Sequence, residues 1–151
     1  MESDHLAFMK IAVSEAKKAV RIAEVPVGAV LVSGSGEILS RAHNQTIRMS
    51  DPTAHAEILA IRQAADKIHN YRLLNTYLYV SVEPCVMCMG AIVHARIAGV
   101  IYGADDPKWG AAGSVYDFIG DNRLNHQPVI IKGVLKEICR DLMQDFFKKK
   151  R

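Results

Sequence analysis

The chain has 151 residues, about half of them apolar, and a formal net charge of +3. That length supports about one domain with a single core, and so small a charge does not by itself indicate a nucleic-acid partner. The start Met1-Glu2-Ser3-Asp4 lacks the basic region and apolar stretch of a secretory signal, and no apolar run approaches the ~20 residues of a membrane span.

Residues 4–23 read as a helix, because Leu6, Met9, Val13, Ala16, Val20 and Ala23 recur at helical spacing with Lys17, Lys18 and Arg21 off that stripe. Val27 to Val32 is a short β-branched run bounded by Pro26 and Ser33-Gly34-Ser35-Gly36. A second strand from about Glu37 to Ala42 completes a hairpin through that turn. Asp51-Pro52-Thr53 signals a helix start, with Asp51 at the cap and Pro52 in the first turn, and the helix runs to about Lys67. Thr76 to Val82 reads as a strand. Glu83-Pro84 opens a helix that carries two cysteines and ends near Arg96. Gly99 to Gly103 and Val129 to Ile131 read as strands, and a helix runs from Val134 to the C-terminus. Strands alternating with helices predict one central sheet covered on both faces, made mixed by the hairpin, in a single domain over residues 1–151.

The last helix carries an apolar stripe of Leu135, Cys139, Leu142 and Phe146, so Cys139 and Phe146 are expected in the core and Phe147 at the rim. Its end, Lys148-Lys149-Lys150-Arg151, suits the negative end of a helix dipole, with a phosphate contact as the other reading. The remaining cysteines, Cys85 and Cys88, are spaced C-x-x-C, which argues for reduced thiols in a cytoplasm rather than a disulfide framework. His5, His43, His69, His94 and His126 read as surface or internally satisfied residues.

Chemistry concentrates in His55-Ala56-Glu57 and Pro84-Cys85-Val86-Met87-Cys88. One imidazole and two thiolates are a zinc ligand set that leaves a fourth tetrahedral position for water. Cys85 and Cys88 are three apart, on one face of a first helical turn, where the positive end of the dipole favours thiolates. His55 and Glu57 are two apart and converge only if the metal sits off the end of their helix. A zinc ion between two helix N-termini is therefore expected. Two thiolates cancel the charge of Zn²⁺ and make its water less acidic, so a base beside it matters more, and Glu57 is that base.

The H-x-E and P-C-x-x-C pair resembles the signature of the zinc-dependent nucleobase deaminases. Further segments narrow the resemblance to the bacterial tRNA-specific adenosine deaminases: Glu24-Val25-Pro26-Val27-Gly28-Ala29-Val30, His43-Asn44, Asp51-Pro52-Thr53-Ala54-His55-Ala56-Glu57, Leu78-Tyr79-Val80, Gly110-Ala111-Ala112-Gly113-Ser114 and Asn125-His126. The resemblance runs from about residue 4 to the C-terminus. It implies a cytidine-deaminase-like three-layer α/β/α sandwich with a mixed five-stranded sheet, a cytoplasmic homodimer, and one Zn²⁺ per subunit. The implied reaction converts adenosine to inosine at the wobble position of an arginine tRNA anticodon loop. His55, Cys85 and Cys88 would hold zinc while Glu57 protonates ring N1 and helps the amine leave. Asn44 would hydrogen-bond the flipped base, and Val27 would pack on its ring. Asp106, Lys108 and Phe147 are expected near the RNA. Pro107 and Trp109 depart from the alanine and threonine common there in relatives.

Two other functions are compatible with the zinc motif. A deaminase of a free base or nucleoside, of the guanine or cytidine type, would turn over the small molecule. A structural-zinc RNA-binding protein would use four protein ligands and would not need Glu57.

Overall fold

The computed structural model describes residues 2–150, with side chains from Asp4 onward; Arg151, the last residue of the basic run, lies outside the described residues. The elements are α1 (Glu2–Arg21), β1 (Gly28–Ser33), β2 (Ile38–His43), α2 (Ala56–Ile68), β3 (Thr76–Val82), α3 (Val86–Ala95), β4 (Gly99–Ala104), β5 (Val129–Lys132) and α4 (Lys136–Lys149). The order follows the hydrophobic patterning, and β3 has the predicted bounds.

The strands form one sheet in the order β2-β1-β3-β4-β5. β1 is antiparallel to both β2 and β3, whereas β3, β4 and β5 are parallel. The α1 side of the sheet buries Met9, Ala12, Val13, Val30, Val32, Tyr79, Ile101 and Cys139, the last from α4. The other side buries Leu31, Leu78, Val80, Val100 and Tyr102 beneath α2 and α3, through Leu59, Ala60, Met89 and Ile92. The result is the expected mixed five-stranded α/β/α sandwich.

The buried stripe of α1 differs from the expected one. Met9, Val13 and Ala16 are buried, but Leu6 and Val20 are exposed, and Ala12 and Ala19 take their place. The reason is close approach. A Cβ on Gly28 would lie 2.0 Å from the carbonyl oxygen of Ala12, so α1 rests almost directly on the β1 backbone. Ala12 and Ala16 are the α1 residues whose backbone lies closest to Gly28, where a small side chain suits the approach. Gly103 does the same for α4: a Cβ there would meet Cys139 Sγ at 2.5 Å. Cys139 and Phe146 are in the core as expected, while Phe147 is exposed and meets Phe146 edge-on with ring centroids 5.3 Å apart.

Two helix starts are corrected. Asp51 does not cap α2. Its Oδ1 accepts the backbone N–H and the hydroxyl of Thr53, closing a local turn that competes with the helix. The helix begins at Ala56, with His55 as an extended N-cap. Glu83-Pro84 likewise precedes α3 rather than opening it, and Cys85 is the N-cap.

Candidate metal centre and active site

Topology brings the two helix starts together. β2 and β3 both run antiparallel to β1, so they run parallel to each other and end at the same edge of the sheet. α2 follows the loop after β2, and α3 follows β3 directly. Their N-termini therefore meet at one end of the layer, beyond the strand ends where ligand crevices form in α/β sheets.

His55 Nδ1 lies 3.7 Å from Cys85 Sγ and 3.5 Å from Cys88 Sγ. In a tetrahedral zinc site, bonds of ~2.3 Å to sulfur and ~2.05 Å to nitrogen give a sulfur–nitrogen edge of about 3.6 Å. The three donor atoms all lie within 4.8 Å of one another and form the only such cluster of three or more His, Cys, Asp and Glu among the described residues. Both sulfur–nitrogen distances match that edge. Cys85 and Cys88 meet because N-cap and third-position side chains adjoin on a first helical turn.

The thiols are poised for a cation. The hydrogen bond from Cys88 draws Cys85 down to about 4, against the effect of burial and with help from His55. The bond with Cys85, together with burial, pushes Cys88 strongly up. Holding a divalent cation would need both as thiolates. Two helix dipoles point their positive ends here, a poor setting for a bare cation but a good one for the thiolates that neutralise it.

Glu57 stands in the first turn of α2 and is 3 % exposed. Burial is the main cause that pushes its carboxyl up to about 7, with the neighbouring Cys85 acting the same way. Its own backbone N–H, His55 and Cys88 oppose the rise.

Asn44 is buried, and its Oδ1 accepts the N–H of Ala56. That bond caps α2 in place of the His55 side chain, which faces the sulfurs. Asn44 N–H donates to the Val27 carbonyl at 3.1 Å, so the two residues expected around a base are adjacent. Asp106, Lys108 and Trp109 share the loop after β4. Asp106 Oδ1 accepts the N–H groups of Lys108 and Trp109, which turns that carboxylate into its own loop, while the side chains of Lys108 and Trp109 are exposed. Phe147 lies on α4, outside the ligand cluster.

Sequence reasoning missed three buried carboxylates. Glu15 binds Lys18 at 2.7 Å, Arg41 at 3.3 Å and His43 at 3.3 Å. Glu24 accepts the Thr46 hydroxyl and the N–H groups of Ile47 and Arg48, holding the loop after Asn44. Glu83 accepts from Asp106, Ala112 and Ser114. The available signal was a charged residue at the edge of an apolar run, as in Val82-Glu83-Pro84, but its partners lie more than twenty residues away.

Residues 2–104 match the cytidine and deoxycytidylate deaminase zinc-binding region. The fold and site are thus those of a zinc-binding deaminase. The chain is 49% identical over 143 residues to a tRNA-specific adenosine deaminase of Haemophilus influenzae, covering 95% of this chain and 83% of that one. A solved structure from work on A-to-I editing by tRNA:A34 deaminases at the wobble position superimposes with a TM-score of 0.87 at 41% identity, covering 90% of this chain and 98% of that one. A guanine deaminase from Bacillus subtilis matches with a TM-score of 0.64, also at 41% identity, over 74% of this chain and 69% of that one. The chain belongs to the tRNA-specific adenosine deaminase family.

Proposed function

We propose that this chain deaminates adenosine to inosine at the wobble position of an arginine tRNA anticodon loop, releasing ammonia, and that it works as a cytoplasmic homodimer. The observation that carries the chemistry is the gathering of His55, Cys85 and Cys88 at zinc-like sulfur–nitrogen distances, with Glu57 buried in the first turn of the helix that His55 caps. Zinc held by His55, Cys85 and Cys88 would supply a water acidified enough to attack carbon at neutral pH. Glu57 takes the proton that the nucleophilic water gives up and delivers it to ring N1 of adenine. It then moves the remaining proton, from the hydroxyl formed at C6, to the amine as the C6–N bond breaks and ammonia leaves, so the carboxylate ends each cycle as it began.

Asn44 orients the base. With Oδ1 accepting from Ala56, its Nδ2 donors suit the N7 acceptor of a purine. Val27 offers an apolar side chain beside Asn44 for the ring. Lys108 and Phe147 are exposed and suited to phosphate and base contacts, respectively. An anticodon base is partly unstacked already, so its extrusion costs less than from a duplex.

The decisive experiment incubates the zinc-loaded protein with transcribed arginine tRNA and sequences for an A-to-G change at the wobble base. Guanine turnover without that change would instead favour the free-base reading, which the similarity to the Bacillus subtilis guanine deaminase supports.

A further inference from the structure

Glu83 stands between β3 and the cysteine ligands, and it is 3 % exposed. No Lys or Arg pairs with it among the described residues. Four donors converge on its carboxylate instead. Oε1 accepts the N–H of Asp106 at 3.0 Å and the hydroxyl of Ser114. Oε2 accepts the N–H groups of Ala112 at 2.9 Å and Ser114 at 3.1 Å. All four come from residues 106–114, the loop that exposes Lys108 and Trp109.

The backbone reinforces this grip. Glu83 N–H donates to the Ala104 carbonyl at 2.8 Å, and Ala111 N–H donates to the Pro84 carbonyl at 2.9 Å. Cys85 itself bridges to Gly110. Gly110 has no alternative, because a Cβ there would lie 2.4 Å from Glu83 Oε1. An ionised carboxylate is acceptor-only with about four lone-pair sites, which matches the four donors. Pro84 biases Glu83 toward extended backbone, and Cys85, two residues on, is the N-cap of α3.

We propose that Glu83 is a positioning residue: it locks loop 106–114 in register with the Cys85 end of α3, and so sets how tightly the anticodon loop is held. The inference rests on the tRNA reading for its substrate and on hydrogen bonding alone for the clamp. A glutamine at this position would turn an N–H₂ group toward N–H donors, breaking the clamp without changing the length of the side chain.

The test compares zinc-loaded wild type, Glu83→Gln and Ser114→Ala on an anticodon stem-loop, with zinc content and amide hydrogen exchange measured in parallel. For Glu83→Gln the KM is expected to rise about tenfold or more, with a smaller fall in kcat. Zinc content should remain that of wild type. Exchange at Ala112 and Ser114 should speed up while that of α2 and α3 does not. Ser114→Ala, the loss of a loop side chain on the surface, should give a smaller rise in KM. An unchanged KM in Glu83→Gln, or a loss confined to kcat and zinc content, overturns the proposal. If Glu83→Gln does not fold, Ser114→Ala decides by the same measures. If wild type leaves the stem-loop untouched, the tRNA reading fails, and exchange still judges the clamp: faster at Ala112 and Ser114 in Glu83→Gln supports it, unchanged overturns it.

Discussion

Asn44 Oδ1 and the backbone N–H of Ala56 are 2.7 Å apart, and this one bond joins the end of β2 to the first turn of α2. It gives Asn44 two separable duties. Asn44→Asp keeps the acceptor and loses the donor, so it should fold normally yet lose about ten- to 150-fold in kcat/KM on the stem-loop. Asn44→Ala loses both, leaves a buried N–H unpaired, and should also cost about 1–3 kcal/mol in urea unfolding. Equal activity in Asn44→Asp and wild type would remove Asn44 from base recognition.

Glu57→Gln preserves the shape of the buried side chain and removes the proton carrier. Zinc content and stem-loop binding should match wild type, while inosine formation falls by about 10²–10⁴-fold. Glu57→Ala should behave alike in binding and in turnover. Single-turnover assays at saturating enzyme separate this loss from weaker binding, and retained turnover would refute the shuttle.

Cys88→Ala removes one corner of the ligand set. The purified variant should contain almost no zinc by elemental analysis. Treating wild type with a strong chelator should abolish activity and lower the unfolding temperature, and added zinc should restore both. Full zinc occupancy in Cys88→Ala would mean that the thiolate is not a ligand.

Glu15 makes acid stability measurable away from the metal. Burial alone would raise its pKa, but hydrogen bonds from Lys18 and His43 and the charges of Lys18 and Arg41 outweigh that and leave it below its ordinary 4.5. A folded-state pKa below the unfolded one adds stability that is complete above pH 4.5 and disappears as pH falls through the lower folded value. Urea unfolding from pH 7 downward should therefore show wild type losing its advantage over Glu15→Gln below about pH 4.5. Parallel curves for the two proteins across that range would sink the assignment.

Phe146 and Phe147 are neighbours with opposite exposure, 8 % and 44 %. Phe146→Ala should destabilise by about 3 kcal/mol. Phe147→Ala should change stability little and, if a base stacks on it, raise the stem-loop KM by about five- to 150-fold. An unchanged KM takes Phe147 out of the RNA surface.

Much of the architecture was legible in the chain. Short β-branched runs and helical stripes are local signals, so the element order and the bounds of β3 followed from residues close in sequence. The stripe of α1 was misread because its true partner is the bare backbone at Gly28, which rewards alanine over larger apolar residues. Asp51-Pro52 was misread because an aspartate that can cap a helix can equally close a turn with Thr53.

The sequence alone supplied the candidate chemistry: which atoms could grip a metal, which carboxylate was expected to work with them, and which residues resembled a known family. Those depend on residue type and on spacings of two or three positions. Only the tertiary structure decided that His55 and Cys85 are both N-caps within 3.7 Å of one another. It also decided where Glu15, Glu24 and Glu83 find their distant partners. Strand direction across β1 and contacts between segments far apart in the chain set those facts, and no local pattern encodes them.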